Sequence, residues 1–278
     1  MAAGELARAR KGRGRGVAEH TFEVQDRIGV LTFNRPEVLN ALTPELYAEI
    51  IELLGKLQFD EQVKVLVLTG AGRAFCSGGD VHKIIGELLA KDMRAHLEFT
   101  RMTGTVVRNM RMLDKPIIAA VNGIAAGAGA VIALASDLRV VAESAKFAFL
   151  FTKVGLAGAD MGAAYLLPRV VGMGRAAEIL MMGENIDAAS AQRIGLANRV
   201  VPDGEALRVA LEWARKLAAG PSLALATTKR MLENEWNMGL LAALESEAQA
   251  QALMLMGKDH QAFYEAFKQK EPPRFTGR

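Results

Sequence analysis

The stretch FAFLFTKVGLAGADMGAAYLLP, residues 147 to 168, is apolar or small almost throughout, and Lys153 and Asp160 are its two charges. An aspartate isolated in this way serves one of two purposes. It can cap a helix beginning near Met161, accepting backbone N–H groups that have no partner within the first turn. It can equally be a carboxylate in a dry pocket, where loss of solvation raises its proton affinity toward acid and base chemistry. The stretch by itself leaves both open.

Two glycine-rich turns hold the other candidates. GAGRAFCSGGDVHKI, residues 70 to 84, follows one strand signal, and NGIAAGAGAVIALASD, residues 122 to 137, runs from another strand into a helix. Small residues at Gly78, Gly79, Gly127, Ala128 and Gly129 let a ligand approach the backbone and leave N–H donors free to meet it. A helix opening near Ala128 adds the positive end of its dipole. Together these are the parts of an oxyanion hole. Neither turn fits a nucleotide motif, because GIAAGAG lacks the GxGxxG spacing and GAGRAFCSGG lacks the GK[ST] ending of a P-loop. Four histidines without ligand spacing and a single cysteine, Cys76, argue against a metal site. Cys76 also lacks a histidine partner and is expected to pack behind its loop.

The elements that must hold these groups alternate. GVLTFNRP (29 to 36) and VKVLVLTG (63 to 70) predict strands, and TPELYAEIIELLGKL between them predicts an amphipathic helix capped by Thr43. KPIIAAVNG (115 to 123) and DLRVVAE (137 to 143) repeat the strand signal around AGAGAVIALAS, a helix apolar on every face and therefore buried. The fold class is α/β with a mostly covered sheet. Beyond about residue 200 the signals turn helical, through EALRVALEWARKLAAG, LALATTKRMLENEW and the Ala-, Leu- and Met-rich segment from Leu240 to Met256. Met254, Leu255 and Met256 read as packing residues, and such a segment commonly docks on another subunit. Residues 20–200 are thus predicted as the core domain and 201–278 as a C-terminal oligomerisation region.

With 278 residues, 51% hydrophobic and 23% charged, the chain can bury a large core. Its net charge of +3 is local: Arg8, Arg10, Lys11, Arg13 and Arg15 stand against Glu5 in the first 16 residues, so the remainder is slightly acidic. Residues 1–19 read as a disordered basic arm. No aromatic residue interleaves its charges, which disfavours nucleic acid as a partner. No apolar run is long enough for a membrane helix, and the lone cysteine suits a reducing, cytoplasmic setting.

NRPEVLNAL (34 to 42), GRAFCSGGDV (72 to 81), KPIIAAVNGIAAGAGA (115 to 130), LLPRVVG (166 to 172) and AQRIGLANRVV (191 to 201) resemble, in order, the signature of the crotonase superfamily of enoyl-CoA hydratases and isomerases. The similarity extends from about residue 20 through the ending FYEAFKQKEPPRF. It implies a crotonase (ClpP-like) spiral of ββα units with a C-terminal helical trimerisation region, assembled as a homotrimer or a dimer of trimers. It also implies an acyl-CoA thioester as substrate, with coenzyme A part of that substrate and no separate cofactor. Carried over by position, the Gly79 and Ala128 amides are the oxyanion pair. The FCSGG loop around Ser77 would touch the adenine, Gly78, Gly127, Val131 and Phe151 are further substrate- or CoA-binding positions, and Phe267 and Lys270 match positions that reach CoA, typically from a neighbouring subunit. Glu271 stands where many relatives have arginine.

The departure from the pattern is informative. Family hydratases carry two glutamates at positions that are Val131 and Phe151 here, and hydration needs both a base for water and an acid for the α carbon. The superfamily's single-carboxylate isomerases, the epoxyphenylacetyl-CoA isomerase type included, have an aspartate in a GLxPD pattern. This chain has GLAGAD, one residue longer. The resemblance therefore assigns Asp160 as the acid and base of a double-bond isomerase. An enoyl-CoA hydratase without the usual glutamates, and a noncatalytic acyl-CoA or RNA-binding relative, are the alternatives. His82 is assigned to the nucleotide end or the surface, and Asp80, Asp137, Glu143 and Lys146 to structural roles.

Overall fold

The computed structural model describes residues 18–277. The basic cluster of the predicted N-terminal arm lies outside the described residues. The chain opens with β1 (His20–Gln25) and β2 (Ile28–Phe33), an antiparallel hairpin. Asp26 and Arg27 turn it with φ of 52° and 64°, the left-handed pair that a two-residue hairpin requires. α1 (Pro44–Leu57) follows, and the Thr43 hydroxyl accepts from Leu46 N–H as the predicted cap.

From there the chain lays strands alternately into two sheets. β3 (Val65–Gly70), β5 (Ile117–Val121), β7 (Leu138–Ala142) and β10 (Arg199–Val201) join β2 in parallel, giving the order β1-β2-β3-β5-β7-β10. β4 (Ala74–Cys76), β6 (Ile124–Ala126), β8 (Lys146–Ala148) and β9 (Asn185–Asp187) form the second, in order β4-β6-β8-β9. Each successive pair, β3/β4, β5/β6 and β7/β8, gives one strand to each sheet. That is the turn of a ββα spiral. The central strands of the large sheet are covered on both faces, so β3 and β5 read as unbroken apolar runs rather than as alternation.

The helices fill the spaces between. α2 (Gly86–Leu88) is a single turn, α3 (Met93–Met112) crosses α1, and α4 (Ala128–Ala135) has all eight residues buried, as its sequence required. α5 (Ala163–Val171), α6 (Met173–Met182) and α7 (Ala188–Arg193) precede β10. α8 (Ala206–Ala218) packs across β3, β5 and β7. α9 (Ser222–Asn234), α10 (Leu240–Leu255) and α11 (Lys258–Gln269) complete the chain, and α10 buries none of its residues within the protomer. No helix among the described residues is long and apolar enough to cross a membrane.

A buried ionic knot joins the helical end to the sheet. Lys229 Nζ of α9 lies 2.9 Å from Asp137 Oδ2 and donates to the carbonyls of Met110 and Lys115. Asp137 also accepts from Ile117 N–H and from Arg111, whose second partner is Glu233. The structural role expected for Asp137 is therefore the one observed.

Candidate active site

The two glycine turns meet. After β4, Ser77 N–H donates to Leu39 O, Leu42 N–H to Gly78 O and Asp80 N–H to Leu42 O, at 2.7 to 2.9 Å, so the turn is stitched to the segment entering α1. Gly78 has φ of +100°, and a Cβ there would sit 2.9 Å from Ala126 O and 3.5 Å from Ala128 N. Gly127, at φ +50°, donates its N–H to Ala148 O at 2.8 Å and leaves Ala128 as the first residue of α4. The amides of Gly79 and Ala128 donate to no protein acceptor among the described residues. Two free N–H donors thus stand in adjoining turns, one of them at a helix N-terminus. This is the arrangement that holds a developing oxyanion.

Asp160 is half-buried, in the turn leading to α5. Its Oδ1 accepts from Met161 N–H at 2.9 Å, while its backbone carbonyl accepts from Ala163. The helix begins at Ala163, later than the sequence suggests, and Gly162 occupies the cap position without a side-chain bond. Asp160 therefore does not cap α5. The geometry corrects that reading, because the carboxylate folds back on the next amide instead of reaching the first turn. Met161 takes a left-handed φ of 49° although its side chain is buried, a conformation costing about 1–2 kcal/mol in a non-glycine residue. Burial raises the proton affinity of Asp160 above the ordinary aspartate value, and the Met161 N–H offsets only part of this.

Val131 on α4 is fully buried and Phe151 is 7% exposed, so both positions present apolar surface. Ser77 donates its hydroxyl to Val38 O at 3.3 Å. Phe267 is exposed on α11, its ring tilted at 33° to that of Phe263, and Lys270 ends that helix with a left-handed φ of 58°. No hydrogen bond, ion pair or ring contact joins Phe267 or Lys270 to the two turns among the described residues. Cys76 is wholly buried and its thiol is pushed up to about 12, which leaves it inert at neutral pH. His82 is exposed, and Asp80 is tied up by Arg35 and by the amides of His82 and Lys83. Among the described residues no three His, Cys, Asp or Glu side chains gather as a metal site.

Two neighbours of the site were not singled out by sequence reasoning. Arg35 lay inside a motif already quoted, but its partnership with Asp80 spans too much chain to be seen. Tyr47 lies within the helix predicted as amphipathic, where nothing in the sequence sets it apart. Its phenol is buried, held well above the ordinary tyrosine value by that burial and then by the charges of Cys76 and Asp160.

Comparison with known proteins decides the family. The enoyl-CoA hydratase/isomerase family description matches residues 23–278. The chain belongs to that family. It is an enzyme of the crotonase superfamily, and its two-sheet spiral is the family's fold. It is 36% identical to the 1,2-epoxyphenylacetyl-CoA isomerase of Escherichia coli strain K12, over 92% of this chain and 97% of the other. It is 35% identical to the 2,3-dehydroadipyl-CoA hydratase of the same strain, over 91% and 97%. Among solved structures, a candidate enoyl-CoA hydratase from Streptomyces coelicolor A3(2) superposes with a TM-score of 0.92 at 50% identity, covering 96% of this chain and 98% of that one. Family members of both reaction types are thus similar to this chain, and the choice between them rests on its own side chains.

Proposed function

We propose that this family member moves the double bond of an unsaturated acyl-CoA, with Asp160 as the single acid and base. One observation carries the reading: a half-buried carboxylate of raised proton affinity stands in a site whose Val131 and Phe151 positions are apolar. In the forward step the Asp160 carboxylate takes the α proton of a 3-enoyl thioester. The C–H electron pair passes into a dienolate whose charge rests on the thioester oxygen. The amides of Gly79 and Ala128 hold that oxygen, each contributing about 3 to 4 kcal/mol to a transition state of this kind. The protonated Asp160, whose acid proton exchanges with solvent, then delivers a proton to the γ carbon, and the double bond lies between the α and β carbons. One group that takes and gives suffices, because nothing is added. Hydration would need a second group to direct water at the β carbon.

Ser77, Gly78 and Gly127 line the thioester and CoA path in this reading. Phe267 and Lys270, exposed on and after α11, meet the CoA of a neighbouring protomer. The unburied apolar residues of α10, with Leu240 at 74% and Leu241 at 83% exposure, are the surface of a homotrimer or a dimer of trimers. The same reading places the enzyme in the cytoplasm, with no cofactor beyond the substrate's own CoA.

The test uses purified protein with a 3-enoyl-CoA and a 2-enoyl-CoA in deuterated water, with products followed by mass spectrometry. Positional isomers bearing deuterium support the proposal. A 3-hydroxyacyl-CoA as main product overturns it in favour of hydration, and no exchange at all points to a noncatalytic binder.

A further inference from the structure

Tyr47 is buried beside the segment that carries the Gly79 amide, and nothing among the described residues uses its hydroxyl. Leu42 pairs with Gly79 across an isolated bridge, Thr43 caps α1, and Tyr47 N–H donates to Thr43 O at 3.0 Å. Tyr47 therefore lies one helical turn, about 6 Å along the axis, from the segment that holds an oxyanion donor. On its other side the ring packs edge-on against Phe99 of α3, centroids 6.2 Å apart at 89°. α3 in turn supplies Val107, 3.7 Å from where a Gly162 Cβ would be, so the turn carrying Asp160 rests on the same helix. α1, α3 and the Asp160 turn bound one region, and Tyr47 faces into it from α1.

The residue is 2% exposed. No hydrogen bond to its hydroxyl exists among the described residues, yet its oxygen is not among the fully sealed polar atoms that lack a hydrogen bond. The ring is thus embedded and the hydroxyl keeps only a trace of accessible surface. A phenylalanine would pack there without the cost of withdrawing a hydroxyl from water, about 1–3 kcal/mol when left unpaired. Its ring neighbour Phe99 has no group to pair with it, and Asp160, whose charge bears on the phenol, makes its side-chain hydrogen bond to Met161 N–H instead. A bound acyl chain bearing an oxygen has such a group.

We propose that Tyr47 is a specificity-determining residue whose hydroxyl hydrogen-bonds an oxygen carried on the acyl chain, so that the preferred substrates are oxygenated rather than plain hydrocarbon acyl-CoA thioesters. The proposal rests on the acyl-CoA reading of the site but not on Asp160 as the base. A site built to pair a buried hydroxyl discriminates strongly against the analogue lacking the partner.

Binding decides it without turnover. Hexanoyl-CoA and the hydroxyhexanoyl-CoA isomers bearing the hydroxyl on carbons four, five and six are titrated calorimetrically into the wild-type protein and into Tyr47→Phe. At least one oxygenated isomer is expected to bind wild type about tenfold or more tightly than hexanoyl-CoA, and the advantage to vanish in Tyr47→Phe with hexanoyl-CoA affinity unchanged. Equal affinities across the series in wild type, an advantage that survives Tyr47→Phe, or an equal loss for every ligand overturns the proposal. Failure of Asp160 as the base appears in the deuterium experiment and leaves these affinities where they were.

Discussion

Nη1 of Arg35 lies 3.0 Å from Oδ2 of Asp80 and donates to the carbonyl of Ala41 at 2.6 Å. Both side chains are nearly buried, at 12% and 10% exposure. The other carboxylate oxygen accepts from the amides of His82 and Lys83, while Asp80 N–H is bonded to Leu42 O. The residue immediately after the Gly79 donor is therefore fixed from both sides. Burial alone would raise the Asp80 carboxyl, but the Lys83 amide, the Arg35 guanidinium and the His82 amide together hold it below the ordinary value. Its contribution to stability is then present at neutral pH and is lost as pH falls through that lowered value. Asp80→Ala leaves Arg35 without its nearest carboxylate, and a loss of about 3–5 kcal/mol is expected in urea unfolding. In the folded fraction kcat should fall more than KM rises, because the Gly79 amide loses its aim rather than its place.

Asp160→Asn keeps the shape of the turn and removes the proposed proton carrier. Turnover of a 3-enoyl-CoA is expected to drop by about 10²- to 10⁴-fold, with KM near the wild-type value. Steady-state kinetics on protein of verified circular dichroism checks this, and near wild-type kcat would remove Asp160 from the mechanism.

The pH dependence follows from the direction of the Asp160 shift. A carboxyl with a raised proton affinity in the folded state makes ionisation costly, so stability declines as pH climbs from the ordinary value through the raised one. Asp160→Asn is accordingly expected to melt no lower than wild type at pH 7. The acidic limb of kcat/KM should lie above about 4, the ordinary aspartate range, and should disappear in the variant's residual activity.

Gly78→Ala tests the junction of the two turns. The new methyl would meet Ala126 O at 2.9 Å with φ at +100°, where side-chain-bearing residues are strained. A destabilisation of about 1–3 kcal/mol is expected, with activity lost out of proportion because relief of the strain separates Gly79 from Ala128. Thermal melts and kinetics on the same sample compare the two losses.

Lys229→Ala removes the cation from the buried knot that ties α9 to the sheet. Asp137 keeps Arg111 and the Ile117 amide but loses its closest lysine, and the Met110 and Lys115 carbonyls lose a donor. About 3–5 kcal/mol should be lost in equilibrium unfolding. Lys229→Met, which restores apolar volume, should lose less than the alanine variant.

Local pattern was enough for β2, β3, β5 and β7 of the large sheet, though not for its β1 and β10, and for buried α4 and the Thr43 cap, because each of those signals is complete within a few residues. The runs at β3 and β5 announce strands covered on both faces, and an eight-residue helix without a polar side can only be buried. Order-dependent resemblance then located Gly79, Ala128 and Asp160 by position. The second sheet escaped notice, since β4, β6, β8 and β9 have three residues each, too short for a period to register.

What the amino-acid sequence determined by itself was the α/β spiral and the family, and it nominated the two glycine turns as the donors. Tertiary structure decided that Asp160 turns back on Met161 instead of capping α5, that Arg35 clamps Asp80, and that Tyr47 keeps an unpartnered hydroxyl beside the donor segment. The reason is physical. Strand and helix propensities act between neighbours, whereas a carboxylate's partner, a guanidinium's target and a phenol's solvation depend on atoms brought together from distant parts of the chain.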